Sequence, residues 1–255
     1  MDLFRYDFGY EWPWTLGHLL AAAVFALAAF AAWRVARRRL GLVFAALGVW
    51  ALAGAVIVNL VLGFSLPIAL PTARFLEAGQ GRVLDAGAGS GRSSLMVLLA
   101  RPQATVTALD IFGTEYGIGG NTPDRLRANA RAAGAEARLD VQVGDMRAMP
   151  FPPASFDAAV SAFAIDHLRR ADVERTFAEM ARVIRPGGDF LMLVINQDAW
   201  IRTSLPFLVH HGYFGGKANA DRWRAQIEVA GFTMVEQGTD PGTLYYLARN
   251  GRRAP

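Results

Sequence analysis

The sequence predicts an α/β protein: a seven-stranded, mostly parallel sheet with helices on both faces, preceded by two apolar helices. Three observations carry this prediction. From Thr72 onward, short β-branched and apolar runs alternate with helical patterns, the signature of a parallel sheet covered by helices. A glycine turn follows the first of those runs directly, at Gly87, Gly89 and Gly91. The chain before Thr72 holds two long stretches without charge. The expected division is a helical hairpin at residues 1–71 and one α/β domain at residues 72–255, a size that supports a core of its own.

The first apolar stretch has no charged residue between Glu11 and Arg34. Its core, Leu16 to Trp33, would be about 27 Å long as a helix, close to the hydrocarbon thickness of a bilayer. Trp12, Trp14 and Trp33 sit at its ends, where amphipathic rings favour a membrane interface. Arg34, Arg37, Arg38 and Arg39 follow, and then Gly41 to Ala73 carries no charge. Leu42 to Phe64 is long enough to span, and Pro67 and Pro71 end the run. A cleaved leader is disfavoured because the extreme N-terminus is acidic and a second apolar run follows. The expected localisation is the membrane, with the lipid bilayer as partner. Two complete crossings place the arginine turn and the α/β domain on opposite faces. The positive-inside rule puts the arginines in the cytoplasm, whereas a cytosolic cofactor puts the domain there; either the arginine turn lies outside, against the rule, or the second segment does not fully cross. The cofactor requirement is the stronger constraint, so the domain is expected to face the cytoplasm.

In the second part, Arg82 to Ala86 reads as the first strand and Arg92 to Ala100 as a helix. Ala104 to Leu109 is the second strand, ending at Asp110. Thr122 and Pro123 open a helix as N-cap and first helical residue, and Gly134 stops it. Leu139 to Val143 and Phe156 to Ser161 are the third and fourth strands. Asp172 is expected to cap a helix whose apolar face is Val173, Phe177, Met180, Ala181 and Ile184. Pro186, Gly187 and Gly188 should turn the chain into a fifth strand, Phe190 to Ile195. An irregular segment, Asn196 to Asn219, precedes a helix around Asp221 to Ala230. Phe232 to Glu236 and Thr243 to Ala248 close the sheet.

Composition narrows the chemistry. The sequence has no cysteine, which excludes disulfides, thiolate metal sites and a cysteine nucleophile. No His/Asp/Glu group has metal-ligand spacing, so no metal is expected. The net charge is +4, and of 26 basic residues only Lys217 is a lysine. No basic stripe interleaved with aromatics is present, so nucleic acid is not an expected partner.

A glycine turn between strand and helix lets a ligand touch bare backbone, and the helix N-terminus offers free N–H groups. Asp85 precedes the turn, and Asp110 ends the next strand 19 residues beyond Gly91, at the edge where open α/β sheets bind ligands. The G-x-G-x-G spacing differs from the dinucleotide form. With Leu84 to Arg92, Ala108 to Asp110, Gly144 to Met146, Met149 to Phe151, Ser155 to Asp157 and Val183 to Gly188, the sequence resembles the class I, Rossmann-like S-adenosylmethionine-dependent methyltransferases, particularly the type 11 group, over roughly Gly81 to Ile195. That resemblance implies S-adenosylmethionine as cofactor. It implies that Gly87, Gly89 and Gly91 cradle the amino-acid part, and that Asp85 helps hold the amino group directly or through water. It implies Asp110 on the ribose hydroxyls, Asp145 at the adenine amino group, Met146 on the ring and Ser161 near the methionine part.

After the fourth strand the chain reads Ser161, Ala162, Phe163, Ala164, Ile165, Asp166, His167. The Asn/Asp-Pro-Pro-Tyr sequence of enzymes that methylate amide and aromatic amino nitrogens is absent. Asp166 and His167 are the candidate catalytic pair, with His167 either a general base or an anchor for the next loop. Tyr116 to Asn121 and Trp200 to Phe214, the latter with His210, His211 and Tyr213, are candidate walls of an acceptor pocket. The expected function is methyl transfer at the membrane to a small hydrophobic or lipid-like acceptor. A nicotinamide-dependent oxidoreductase is disfavoured by the glycine spacing; a non-catalytic cofactor-binding scaffold is the other alternative.

Overall fold

The computed structural model describes residues 5–113, 119–206 and 220–251. A short helix α1, Trp12–Thr15, leads into α2, Gly17–Arg34, and after a turn at residues 35–37 the chain returns as α3, Arg38–Val56, continued by a π-helical turn, Ile57–Val61. The two long helices pack through small residues. Ala22, Ala29 and Ala32 are buried on α2, and Gly41, Gly48, Ala51, Gly54 and Ala55 on α3. Close approach is what these positions provide: a Cβ at Gly41 would fall 2.2 Å from the Trp33 indole, and one at Gly54 would fall 2.5 Å from the His18 ring. Many other large side chains on these helices point the other way. Leu27, Phe30, Leu42 and Val49 are all more than 60% exposed. Both helices are long and apolar enough to cross a membrane, and only 17% and 39% of their apolar windows are buried within the chain.

The second part is a seven-stranded sheet. Its strands are β1 Gln80–Ala86, β2 Gln103–Asp110, β3 Leu139–Val143, β4 Phe156–Ala162, β5 Ile184–Ile195, β6 Phe232–Asp240 and β7 Thr243–Asn250. They lie in the order β3-β2-β1-β4-β5-β7-β6. All neighbours are parallel except β7, which runs antiparallel to β5 and β6. Among the described residues, five α-helices join these strands: α4 Arg92–Ala100, α5 Pro123–Ala132, α6 Arg170–Val183, α7 Ala199–Ser204 and α8 Ala220–Val229. Successive strand residues serve opposite faces. Val83 joins a core with Met96, Leu98 and Phe75, while Leu84 joins one with Phe177, Met180 and Ile227. The strand order reverses between β1 and β4, and at such a switch point the loops after the two strands diverge and leave a crevice.

Two local expectations are corrected. Asp172 does not cap α6: the helix starts at Arg170, and Asp172 lies in its first turn, 3.4 Å from Arg147 and 3.7 Å from Arg175. Pro186, Gly187 and Gly188 do not precede the fifth strand but bulge out of it. Ile184 pairs with Phe156 and Asp189 with Ala158, so five steps on β5 face two on β4, and the backbone of Asp157 lies where a Cβ at Gly188 would sit, 2.5 Å away. Thr122 does cap α5, its side chain accepting from the Arg125 N–H.

The hairpin docks on the domain. The His18 ring lies 2.6 Å from the Ser204 carbonyl, and Trp50 Nε1 donates to the Thr203 carbonyl. Val58, Ile201 and Leu205 form a small core, joined by Trp14, Leu62, Phe64 and Ile195. The helix ends that meet the domain are therefore the ones opposite the arginine turn.

Candidate cofactor site at the carboxyl edge of the sheet

β1 ends at Ala86, and the chain turns through Gly87 at φ +77°. Only glycine fits here: a Cβ would lie 2.4 Å from Ala164 Cβ and 2.6 Å from Met146 Cε, and the left-handed backbone disfavours any side chain. The Gly87 and Ala88 N–H groups donate to the Leu109 carbonyl on β2. The Gly89 N–H donates to Asp110 Oδ2 at 2.8 Å, and the Phe112 N–H to Oδ1 of the same carboxylate at 2.6 Å. Asn121 Nδ2 reaches Asp110 Oδ1 at 3.3 Å. The glycine turn and the Asp110 carboxylate are thus one structure, and Gly91 leads directly into α4.

Asp85 is fully buried beneath the turn. Ser93 and Ser94, on the first turn of α4, donate their hydroxyls to its carboxylate at 2.5–2.9 Å. Burial pushes the Asp85 carboxyl up to about 7, only partly opposed by the Ser94 and Ser93 hydrogen bonds, and nearby Asp110 raises it further. With no exposed surface, Asp85 supports the turn from below, so its expected influence on a cofactor amino group would act through the turn and through charge.

The other expected site residues arrive from neighbouring strands. Ser161, at the end of β4, donates its hydroxyl to the Ala86 carbonyl at 2.7 Å, fastening β4 to β1 beside the turn. Met146 places its methyl group over Gly87. Asp145 gives both carboxylate oxygens to Arg147 at 2.7–2.9 Å, which holds it below the usual carboxylate range. Met146, the next residue, is the one that reaches the glycine turn. Asp166 and His167 share a short 3-10 turn with Ile165. Asp166 is buried and accepts from the Ile195 N–H at 3.1 Å, while His167 is half-buried beside it. Of the expected acceptor walls, residues 114–118 and 207–219, including Tyr116, His210, His211 and Tyr213, lie outside the described residues.

Three contributions escaped the sequence reading. Arg92, the first residue of α4, donates to the carbonyls of Leu62, Gly63 and Leu66 at 2.9–3.3 Å and to the Tyr10 hydroxyl at 3.2 Å. Its guanidinium also lies over the rings of Phe8, Tyr10 and Phe64. The hairpin's end is thereby tied to the residue that follows the glycine turn. Asn129 clasps the backbone of Asp7 through both side-chain atoms and donates to the Ser90 carbonyl. The Gly119 N–H donates to the Gly9 carbonyl, so the N-terminal segment lies across the cofactor edge. The one hint was position: Arg92 follows the motif immediately, but partners up to 82 residues away have no spacing signal.

The polar groups suit a ligand that carries hydroxyls: a carboxylate at the rim of a glycine turn packed by Ala164 and Met146, and buried Ser90 Oγ and Asn121 Oδ1 atoms without a hydrogen-bond partner among the described residues. Fold and motif order are those of the class I methyltransferase fold, the class that uses S-adenosylmethionine. Residues 83–188 match the family model described as a methyltransferase domain. Among curated relatives, the ubiquinone/menaquinone biosynthesis C-methyltransferase UbiE of Methylobacterium nodulans is 41% identical over 113 residues, covering 44% of this chain and 41% of the relative. The 24-methylenesterol C-methyltransferase 2 of Oryza sativa subsp. japonica is 35% identical over 134 residues, covering 52% of this chain and 33% of the relative. The chain thus spans less than half the length of either. An O-methyltransferase family protein from Burkholderia thailandensis shares the fold with a TM-score of 0.58 at 16% identity, over 80% of this chain and 60% of that one.

Proposed function

We propose that this chain transfers a methyl group from S-adenosylmethionine to a small hydrophobic or lipid-like acceptor, and that its hairpin holds the reaction at a membrane. The observation that carries the reading is the glycine turn whose Gly89 N–H meets Asp110 at the ends of β1 and β2. S-adenosylmethionine supplies a methyl group on a sulfonium, which leaves as a neutral thioether when the acceptor's nucleophilic atom takes the methyl. The protein's share is chiefly positioning. Gly87, Gly89 and Gly91 would hold the amino-acid part, Asp110 the ribose hydroxyls and Met146 a ring face. Ser161 keeps the end of β4 against β1, and the turn carrying Asp166 and His167 stands over Gly87 through Ala164. An acceptor that must lose a proton would find these two side chains there.

The names of the relatives support a carbon acceptor on a quinone-pathway ring or a sterol, both apolar molecules that partition into bilayers. The hairpin supports the same class, because its exposed large apolar side chains need a covering and anchoring confines enzyme and acceptor to one thin layer. The domain would face the cytoplasm, with the arginine turn at the opposite face.

The test is incubation of the full chain in liposomes with methyl-labelled S-adenosylmethionine and a membrane lipid extract. Label is expected in the organic phase; label only on water-soluble acceptors removes the lipid part, and cofactor binding without any transfer favours a scaffold. The absence of native cysteine makes topology testable: Ala171→Cys should react with an impermeant maleimide from the cytoplasmic side, and Ala36→Cys from the other side.

A further inference from the structure

Five buried side-chain atoms have no hydrogen-bond partner among the described residues: Ser90 Oγ, Asn121 Oδ1, Asp166 Oδ1, Thr176 Oγ1 and Gln197 Oε1. Thr176 lies within α6, in the helix layer. The other four follow β1, β2, β4 and β5 in turn, along the carboxyl edge of the sheet. A buried polar atom left unmet costs about 1–3 kcal/mol, so four of them along a single edge mark where ligand groups belong. Ser90 sits in the glycine turn and Asn121 is bonded to Asp110, which assigns those two to the cofactor half.

Asp166 and Gln197 belong to the other half. They are linked through Ile195, whose N–H donates to Asp166 Oδ2 while Gln197 follows two residues later. Asp166 is 6% exposed and Gln197 8%. Ile195 also packs on the small core at the hairpin's base, with Trp14, Leu62 and Phe64. Both residues follow strands that lie across β1 from the Asp110 strand, and Ile195, the residue that ties them, packs on that apolar wall.

We propose that Asp166 Oδ1 and Gln197 Oε1 are the recognition site for the head of the methyl acceptor, that this head donates hydrogen bonds as a ring hydroxyl does, and that its apolar body lies along the hairpin base. The assignment rests on the methyltransferase reading above and adds the polarity of the acceptor to it. Carboxylate and amide oxygens accept hydrogen bonds. A hydroxyl satisfies them; a ketone or ether sets acceptor against acceptor and leaves the buried oxygens unmet. Sites built to bond a hydroxyl discriminate strongly against analogues that lack it. A ring hydroxyl donating to a carboxylate also enriches the adjacent ring carbon, so the contact that binds the head would favour attack by carbon.

The test uses the full chain in phosphatidylcholine nanodiscs and two probes, 2-dodecylhydroquinone and its dimethyl ether, titrated with S-adenosylhomocysteine present. The wild type is expected to bind the hydroquinone at least tenfold more tightly than the ether. Gln197→Met should bring the two within about threefold. Asp166→Asn keeps an oxygen for the Ile195 N–H and sets an N–H donor at the orphaned position, so it should shift preference toward the ether. S-adenosylmethionine affinity should stay within twofold in both variants. Equal binding of the two probes by the wild type, or a preference that both variants retain, overturns the assignment. Failure of the wild type to bind S-adenosylmethionine, read in a titration without either probe, overturns the methyltransferase reading itself and this assignment with it.

Discussion

Replacing Asp85 by asparagine should make the protein more stable at alkaline pH and remove a pH dependence that the wild type shows. The Asp85 carboxyl is buried and pushed up from 3.8 to about 7. Between those values the folded chain holds a proton that the unfolded chain releases. Stability from this group is therefore fully present below about pH 4 and is lost as pH rises through about 7. The span corresponds to about 4 kcal/mol at roughly 1.4 kcal/mol per pH unit. The substituted amide would carry no charge at any pH, and the Ser93 and Ser94 hydroxyls can accept from it as well as donate to it. Urea unfolding of the full chain in nonionic detergent, at pH 4.5, 6 and 8, measures the effect. The variant minus wild-type difference should grow toward about 4 kcal/mol across that range. A difference independent of pH would refute the reasoning, since it would mean that Asp85 is ionised throughout in the folded state.

Gly87→Ala should abolish S-adenosylmethionine binding and lower stability by about 3 kcal/mol, combining left-handed backbone strain with the contacts to Ala164 and Met146; calorimetric titration and thermal unfolding read the two effects. Arg92→Ala removes four hydrogen bonds and the stacking on three rings, so it should cost about 3 kcal/mol and expose residues 62–66 to limited proteolysis. An unchanged digestion pattern would show that the clamp does not hold the hairpin to the domain. If ionised Asp85 draws the cofactor's cationic groups, wild-type affinity for S-adenosylmethionine should rise severalfold between pH 6 and 8, and the affinity of Asp85→Asn should stay flat.

Local chemistry wrote most of this fold visibly into the sequence. The limits of β3 follow from Leu139 to Val143, and the start of α5 from Thr122 and Pro123, because alternation, capping and proline geometry act over a few residues. The glycine turn and Asp110 were legible for the same reason: each lies at the end of a strand. What stayed hidden depends on distant partners. Asp172 looked like a cap, but its carboxylate answers Arg147 and Arg175. Asn129 carries no motif, and its bonds to Asp7 depend on the N-terminal segment crossing α5. The bulge at Gly187 and Gly188 reads as a turn until its partner strand is known.

The most direct measurement is calorimetric titration of S-adenosylmethionine into the wild-type chain and into Asp110→Ala, both in detergent at pH 7.5. One-to-one micromolar binding by the wild type, weakened a hundredfold or more in the variant, is the predicted result. Heat from NADH in place of S-adenosylmethionine, or equal affinity in the two proteins, would contradict the placement of the cofactor at this edge.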